Sequence, residues 1–402
     1  MQGKKHRILI LGGGYGGVSV AAHLRRLAAA GKTEVTLVNK SSFHFLTTLL
    51  QHAILEPINY RRVTVHLPSL LSPHVRFQRG TVLAIHPDRK NVDVAARQGQ
   101  LSLEYDTLVV ALGWEPMFYG IQGLQENAFV LEDLHSAHLI YDHIEQSFIE
   151  YDRHPEQMWR TRILVGGAGP TGVEMCFELA EGLGSLLKAY DIDRTSFRLM
   201  LVGALLHGFD EHMVNHVHDF LVRDGVEVYP DALVERVHPH TVELKDGTKL
   251  DEALIIWAGG VRGNALVERS GFSVDKHGRA NVDGFLRYVD DQSIYIIGDC
   301  ARALDSEGKP LIQTAQFAAE EGRYVARSIA ETLSGKSVQP FKPVNLGMFV
   351  SMGRGRAIGV LYLGRLNLKL KGHLGRIARF AANNRYLWSI GGLRMVLHKM
   401  FT

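Results

Sequence analysis

Cysteine is scarce: 402 residues hold two, Cys176 and Cys300, far apart and in no Cys-x-x-Cys pair. That excludes a disulfide scaffold and argues against a redox-active dithiol; two reduced structural thiols are expected. No stretch reaches 18 consecutive apolar residues, so no membrane-spanning helix is expected. Low-complexity tracts are also missing, and 46% hydrophobic with 22% charged residues is the composition of a folded protein. The opening MQGKKHRILILGGG runs straight into a strand pattern, which leaves no room for a signal peptide. Acidic residues run out early. After Glu331 there is no Asp or Glu, while twelve Lys or Arg follow from Lys336 to Lys399. The first 331 residues carry 33 basic and 42 acidic groups, a balance of −9, against +12 for the tail. An acidic body with a basic end points to a polyanionic surface as partner.

The length suits two or three domains. RILIL (residues 7–11) is a short apolar run ending in glycines, as a buried parallel strand does. A helix is expected from Gly16 to Ala30, then a strand from Val35 to Asn39, giving one βαβ unit. The pattern recurs: a strand at Thr161–Val165, the turn GGAGPTG, a helix at Val173–Leu187 and a strand at Arg198–Val202. Two such units signal two mononucleotide-binding domains of an α/β protein. Between them, a strand at Tyr105–Ala111 ends at Gly113, where the chain is expected to cross between domains. LDEALIIWAGGVRG has the same shape later, ending at Gly259 and Gly260, and a last strand is expected at Ile294–Ile297 before Gly298 and Asp299. The second domain then reads as an insertion: 1–118 and 286–342 form the first domain and 119–285 the second, with 343–402 as a C-terminal region. In that region 346–363 read as strands and 373–401 as basic amphipathic helix. Leu370, Leu374, Ile377 and Ala381 fall on one helical face, and Leu387, Ile390, Leu393, Leu397 and Met400 continue the stripe.

Chemistry is carried first by Gly12-x-Gly14-x-x-Gly17, between strand and helix. The first glycine permits the tight turn, the second admits a pyrophosphate, and the third lets helix and strand pack closely. The free N–H groups of the helix start then face the phosphates. Asn39 stands where a ribose-binding acid is usual after the second strand, with Lys40 beside it. Gly167-x-Gly169-x-x-Gly172 repeats the fingerprint. Two nucleotide sites in one chain point to a flavin and a nicotinamide that exchange electrons. Histidines His212 and His216 stand at i, i+4, but no HExxH or Cys/His set accompanies them, so no metal site is expected.

The order of these pieces resembles the type II (non-proton-pumping) NADH:quinone oxidoreductases over nearly the whole chain. The resemblance rests on GGGYGG at Gly12, FHFLTTLLQ at Phe43, LVVALGWEP at Leu108 and VGGAGPTGVE at Val165. It continues with WAGGVRGN at Trp257, YIIGDCA at Tyr295, TAQFAAEEG at Thr314 and RYLWSIGGL at Arg385. It implies two Rossmann-like domains in a glutathione-reductase-like tandem, plus a C-terminal amphipathic helical region associated with a membrane. It implies FAD held through Gly12, Gly14, Tyr15, Gly16 and Gly17, with Asn39 and Lys40 on the adenosine side and Thr47 and Thr48 by the flavin. Gly113, Gly298, Asp299 and Ala315 complete that site, Asp299 bonding the ribitol. Gly167, Gly169, Gly172 and Gly260 would hold NADH, and Glu174 would face the nicotinamide. Gln316 would line the flavin edge and the quinone pocket, with Glu320 four residues on. The implied reaction is oxidation of NADH by FAD and electron transfer to a quinone of menaquinone or ubiquinone type. The implied place is the cytoplasmic side of the cell membrane, reached through the basic C-terminal helices, whose Phe380, Tyr386 and Trp388 suit the headgroup layer. No nucleic-acid partner is expected, and a homodimer is left open.

The chain departs from the family in places. Gly203 stands where the second unit's acid should grip the NADH ribose, and an acid restored there is expected to tighten NADH binding. Glu320 replaces a second glutamine, and Ile312 and Gln313 replace two prolines before Thr-Ala-Gln. Two alternatives stay open: a sulfide:quinone oxidoreductase, which needs a cysteine pair at the flavin, and a flavin-bound redox sensor with weak NADH turnover.

Overall fold

The computed structural model describes residues 4–55, 60–252, 254–364 and 366–400. His6–Leu11 forms β1, whose last four residues are buried, because helices cover both faces of a parallel sheet. Tyr15–Ala29 (α1) returns the chain, and Thr33–Asn39 (β2) pairs parallel to β1 from His6↔Thr33 to Leu11↔Val38. Val75–Arg79 (β3) extends the sheet past β2, and Thr107–Val110 (β4) joins β1 on its other side. Strands within residues 81–104 form a separate three-stranded antiparallel sheet.

Trp114–Pro116 pairs antiparallel with Val261–Gly263, and this two-stranded joint is where the chain leaves the first unit and returns. Within the second unit, Arg162–Gly166 (β5) leads to Pro170–Ala189 (α2), which begins with proline where a missing N–H costs nothing. Arg198–Gly203 (β6), Glu211–Arg223 (α3), Val226–Pro230 (β7) and Leu254–Trp257 (β8) follow. The parallel sheet runs Ala128–Phe129, β8, β5, β6, β7. Val267, Phe272 and Ala280 pack with Leu9, Leu11 and Ile294 of the first unit. The return therefore lies at Val261–Gly263, ahead of the boundary at 286 expected from the sequence. The helix at 265–269 and the two-residue strands after it are too short for periodicity to reveal which core they join. Asp291–Ile296 (β9) then completes the first sheet beside β4.

Ala315–Leu333 (α4) lies against α1 at close range. A Cβ on Gly322 would come within 2.3 Å of the Gly16 carbonyl oxygen, so only glycine permits the approach that brings α4 to the first glycine turn. Gly347–Ser351 (β10), Ala357–Leu363 (β11) and Leu366–Lys371 (β12) form an antiparallel sheet. Gly372–Met400 (α5) closes the described chain, broken at Gly392 (φ 64°, ψ −163°). Two expectations are corrected here. Leu370 belongs to β12, not to the helix, because LNLKLK alternates with period two and Gly372 (φ 62°) ends the strand. The apolar stripe also divides: Leu387 and Ile390 are buried in the first unit's core, while Leu393 and Leu397 are exposed. The break at Gly392 resets the helical phase between them.

Candidate functional site: two glycine elbows and the junction between them

The two fingerprints fold alike. Gly12 (φ 105°) and Gly167 (φ 108°) each donate N–H at 2.8 Å to the neighbouring strand, to Val38 and Val202. A Cβ at Gly17 or Gly172 would stand 1.9 Å from the carbonyl oxygen of Gly12 or Gly167, so helix and turn touch through glycine alone. Gly14 and Gly169, the caps of α1 and α2, face open space, since a Cβ there meets nothing within 4 Å. Neither cap carries a side-chain hydrogen bond, and neither first turn holds an acid. Unpaired N–H groups at a helix start, facing an open cradle without negative charge, fit a pyrophosphate. Tyr15 and Gly16 form the first turn of α1 at that cradle.

Asn39 braces the first loop: its Oδ1 accepts the Gly13 N–H (2.9 Å) and its Nδ2 donates to the Ser41 carbonyl (2.8 Å). Lys40 beside it is exposed. Thr47 and Thr48, both exposed, open a 3-10 turn, with Thr48 Oγ1 3.1 Å from the Tyr15 hydroxyl. Gly113 (φ 74°) turns the chain after β4, and its carbonyl accepts the Asn264 N–H and the Cys300 S–H. Gly298 (φ 66°) opens the turn after β9. Beside it, burial pushes the Asp299 carboxyl up to about 6, and among the described residues that carboxyl has no hydrogen-bond partner. Ala315 begins α4, whose cap Thr314 accepts the Phe317 N–H.

Two features of this site are not in the motifs as read. Glu321, 2% exposed, accepts the Gly298 N–H at 2.6 Å, and burial pushes its carboxyl up to about 8. The doubled glutamate before Gly322 was the available signal, but only the helix phase shows that the second one points inward. His44 is fully buried; its ring nitrogens lie 3.0 Å from the Gly13 carbonyl (Nδ1) and 3.0 Å from the Tyr386 hydroxyl (Nε2). A carbonyl can only accept, so Nδ1 carries the proton and Nε2 accepts from Tyr386. Burial holds this imidazole neutral, down to about 4. Tyr386 also packs on Tyr15, with ring centroids 4.6 Å apart, so α5 closes over the glycine loop.

Glu174, in α2, is a meeting point. Its Oε2 accepts from Gln51 Nε2 (2.8 Å) and Arg379 (3.0 Å), and its Oε1 accepts the Ser351 N–H (2.8 Å). The four residues come from the second unit, the 3-10 turn Thr47–Ala53, α5 and β10. Burial raises the Glu174 carboxyl and Arg379 pulls it back. Gln316 and Glu320 sit one turn apart on α4 and grip one residue from both sides. Gln316 Nε2 donates to the Val344 carbonyl (3.0 Å), and Glu320 accepts the Val344 N–H (3.2 Å). Among the described residues no hydrogen bond joins this pair to Glu174. Gly260 (φ 148°) accepts the Met117 N–H, and a Cβ there would strike the Tyr119 hydroxyl at 2.4 Å.

The two cysteines are not brought together: Cys176 is buried in the second unit's core and Cys300 in the first's. Burial raises both thiols, Cys300 to about 12, and neither is a nucleophilic thiolate. Gly203 has φ 135°, and a Cβ on it would lie 3.0 Å from the Ala168 amide nitrogen. The backbone there is built for glycine, which corrects the expectation that an acid could simply be restored at this position.

A family model described as pyridine nucleotide-disulphide oxidoreductase matches residues 6–322. A Staphylococcus aureus protein named type II NADH:quinone oxidoreductase is 32% identical over 405 residues, 98% of each chain. Among solved structures, the chain is similar to NDH2 from Plasmodium falciparum in complex with NADH, with a TM-score of 0.85 and 18% identity over 99% of this chain and 97% of that one. A sulfide:quinone oxidoreductase from Aquifex aeolicus matches at 0.75 and 18% identity, over 96% and 91% of the two chains.

Proposed function

We propose, for a chain that belongs to the type II NADH:quinone oxidoreductase family, that NADH at the second glycine elbow is oxidised by FAD at the first and that the electrons pass to a membrane quinone. Bound FAD supplies the hydride acceptor and the two-electron carrier. The open, acid-free helix start at Gly14 fits its pyrophosphate, and Asp299, whose carboxyl has no hydrogen-bond partner among the described residues, fits a hydroxyl of its ribitol chain. Asn39 holds the loop in shape for that contact, with Lys40 exposed beside it on the adenosine side. Gly167, Gly169 and Gly172 receive the NADH pyrophosphate, and Gly260 keeps the wall beside the nicotinamide thin. Glu174 sits where both units and the C-terminal elements meet, a buried carboxyl whose proton affinity is set by burial against Arg379. Such a group can hold or pass a proton for a quinone that takes up two. Gln316 and Glu320 line the approach along Val344, on the side where Ile312 and Gln313 stand.

The quinone is lipid-soluble, and α5 supplies the surface that reaches it. Leu374, Ile377, Phe380, Trp388, Leu393 and Leu397 are exposed, with Arg376, Arg385 and Arg394 exposed among them. No helix among the described residues is long and apolar enough to cross a membrane. We place α5 in the headgroup layer on the cytoplasmic side, where each nearby cation contributes about 1 kcal/mol on anionic lipid. The observation that carries the proposal is the pair of matching elbows with Glu174 at their junction. Gly203 favours a second reading, a redox sensor slow to accept NADH. Quinone-dependent loss of NADH absorbance in the presence of anionic vesicles decides. Fast, quinone-dependent consumption supports the enzyme; consumption absent or slow at every quinone concentration supports the sensor.

A further inference from the structure

The second unit lacks an acid at the end of β6, yet a dinucleotide held by a glycine elbow ordinarily has its adenosine ribose gripped by a carboxylate at that strand end. Comparing the two units shows where the side chain has gone. In the first, β2 ends at Asn39, paired with Arg79 of β3, and Gly80 follows and donates its N–H to the Asn39 carbonyl at 3.0 Å. In the second, β6 ends at Gly203, paired with Pro230 of β7, and Asp231 follows and donates its N–H to the Gly203 carbonyl at 3.2 Å. The registers and hydrogen bonds correspond, but the side chains are exchanged. The first unit has a polar side chain on the second strand and glycine after the third; the second unit has glycine on the second strand and a carboxylate after the third.

Two other acids of this unit are already paired. Asp210, at the start of α3, pairs with Lys369 at 2.8 Å, and Glu227 in β7 pairs with Arg198. Asp231 is exposed, and among the described residues its carboxylate takes no hydrogen bond or ion pair. Its backbone is left-handed (φ 58°), a conformation that aspartate tolerates but that a non-glycine residue adopts at a cost. It stands at the carboxyl edge of a parallel sheet, where such sheets bind ligands, one strand over from the usual acid.

We propose that Asp231 is the specificity-determining carboxylate of the second nucleotide site, accepting hydrogen bonds from the adenosine ribose diol and repelling a 2′-phosphate. Gly203 then removes the side chain that would crowd it. This rests on the reading that the second unit binds NADH.

The test is Asp231→Asn in the full-length, flavin-loaded protein, since asparagine keeps the left-handed backbone and removes the charge. Asp231→Gly serves as a second variant that relieves the backbone altogether. Flavin content and the extent of flavin bleaching by saturating NADH should match the wild type. KM for NADH should rise about tenfold at unchanged kcat, which is ~1.4 kcal/mol of lost binding. The ratio of kcat/KM for NADPH to that for NADH should rise at least about tenfold. Both variants keeping the wild-type KM and cofactor ratio while fully loaded with flavin would overturn the assignment. A wild-type flavin that NADH does not bleach overturns the NADH reading itself, and this assignment with it.

Discussion

Arg379→Ala removes the guanidinium that meets the Glu174 carboxylate at 3.0 Å, and leaves Gln51 and the Ser351 N–H as its hydrogen-bond donors. Side-chain exposure is 17% for Arg379 and 11% for Glu174, so solvent replaces little of the lost partner. Breaking one side of such a buried pair costs about 3–5 kcal/mol. About 1 kcal/mol of that is the hydrogen bond from Arg379 to the Thr48 carbonyl, which does not depend on pH. The remainder does. Glu174 in the folded protein already lies above the ordinary value of 4.5, and without Arg379 it climbs further. A folded carboxyl raised above its unfolded value is penalised increasingly as pH rises past that unfolded value. The variant should therefore lose little at pH 5 and most at pH 8. With an unfolding entropy of about 2.1 cal/mol/K per residue, a chain of this length shifts by roughly 1 °C per kcal/mol, so the melting midpoint should fall about 4–6 °C at pH 8 and about 1–2 °C at pH 5. Adding Glu174→Gln to Arg379→Ala should recover most of the pH 8 loss. Equal losses at both pH values, or no recovery in the double variant, would refute a charge-pair role for this contact.

Gly14→Val should fold normally and be purified without flavin, because its side chain enters open space in the cradle; Gly17→Ala, whose Cβ meets a carbonyl at 1.9 Å, should instead accumulate poorly. Absorbance at the flavin band per folded protein checks both. Ile377→Glu with Trp388→Glu, two exposed positions on α5, should abolish sedimentation with anionic vesicles while the flavin spectrum stays as in the wild type. Deleting everything after Gly372 is a poorer test of membrane association. It also removes Leu387 and Ile390 from the core, about 1.5–3 kcal/mol each, and Tyr386 from His44. Glu321→Gln should raise the melting midpoint at pH 9, because the folded carboxyl at about 8 is costly to ionise there, and leave it unchanged at pH 4.5, where the wild-type group is protonated.

The glycine elbows, the order of strands and helices and the basic end were legible because each rests on local pattern: apolar runs ending in glycine, spacing of three glycines, a one-sided charge. What the sequence concealed depends on long-range placement. Glu174 stood in a motif, but Ser351 and Arg379, its partners across the C-terminal region, carry no signal that ties them to residue 174. His44 and Glu321 lie inside family motifs that assign them no role, because helix phase and burial are set by what packs on them. Leu370 was misplaced because leucines at 370 and 374 satisfy a helical spacing as well as the strand alternation that β12 follows. Asp231 could not be singled out before the register of β6 and β7 was known, since its meaning comes from the strand beside it.

Whether flavin and nicotinamide exchange electrons in this chain is read from the absorbance spectrum of the purified protein. Flavin bands should be present on isolation, vanish on anaerobic addition of NADH and return on addition of a short-chain quinone. A protein that is colourless and stays so when offered FAD, or whose bound flavin does not respond to NADH, would contradict that exchange.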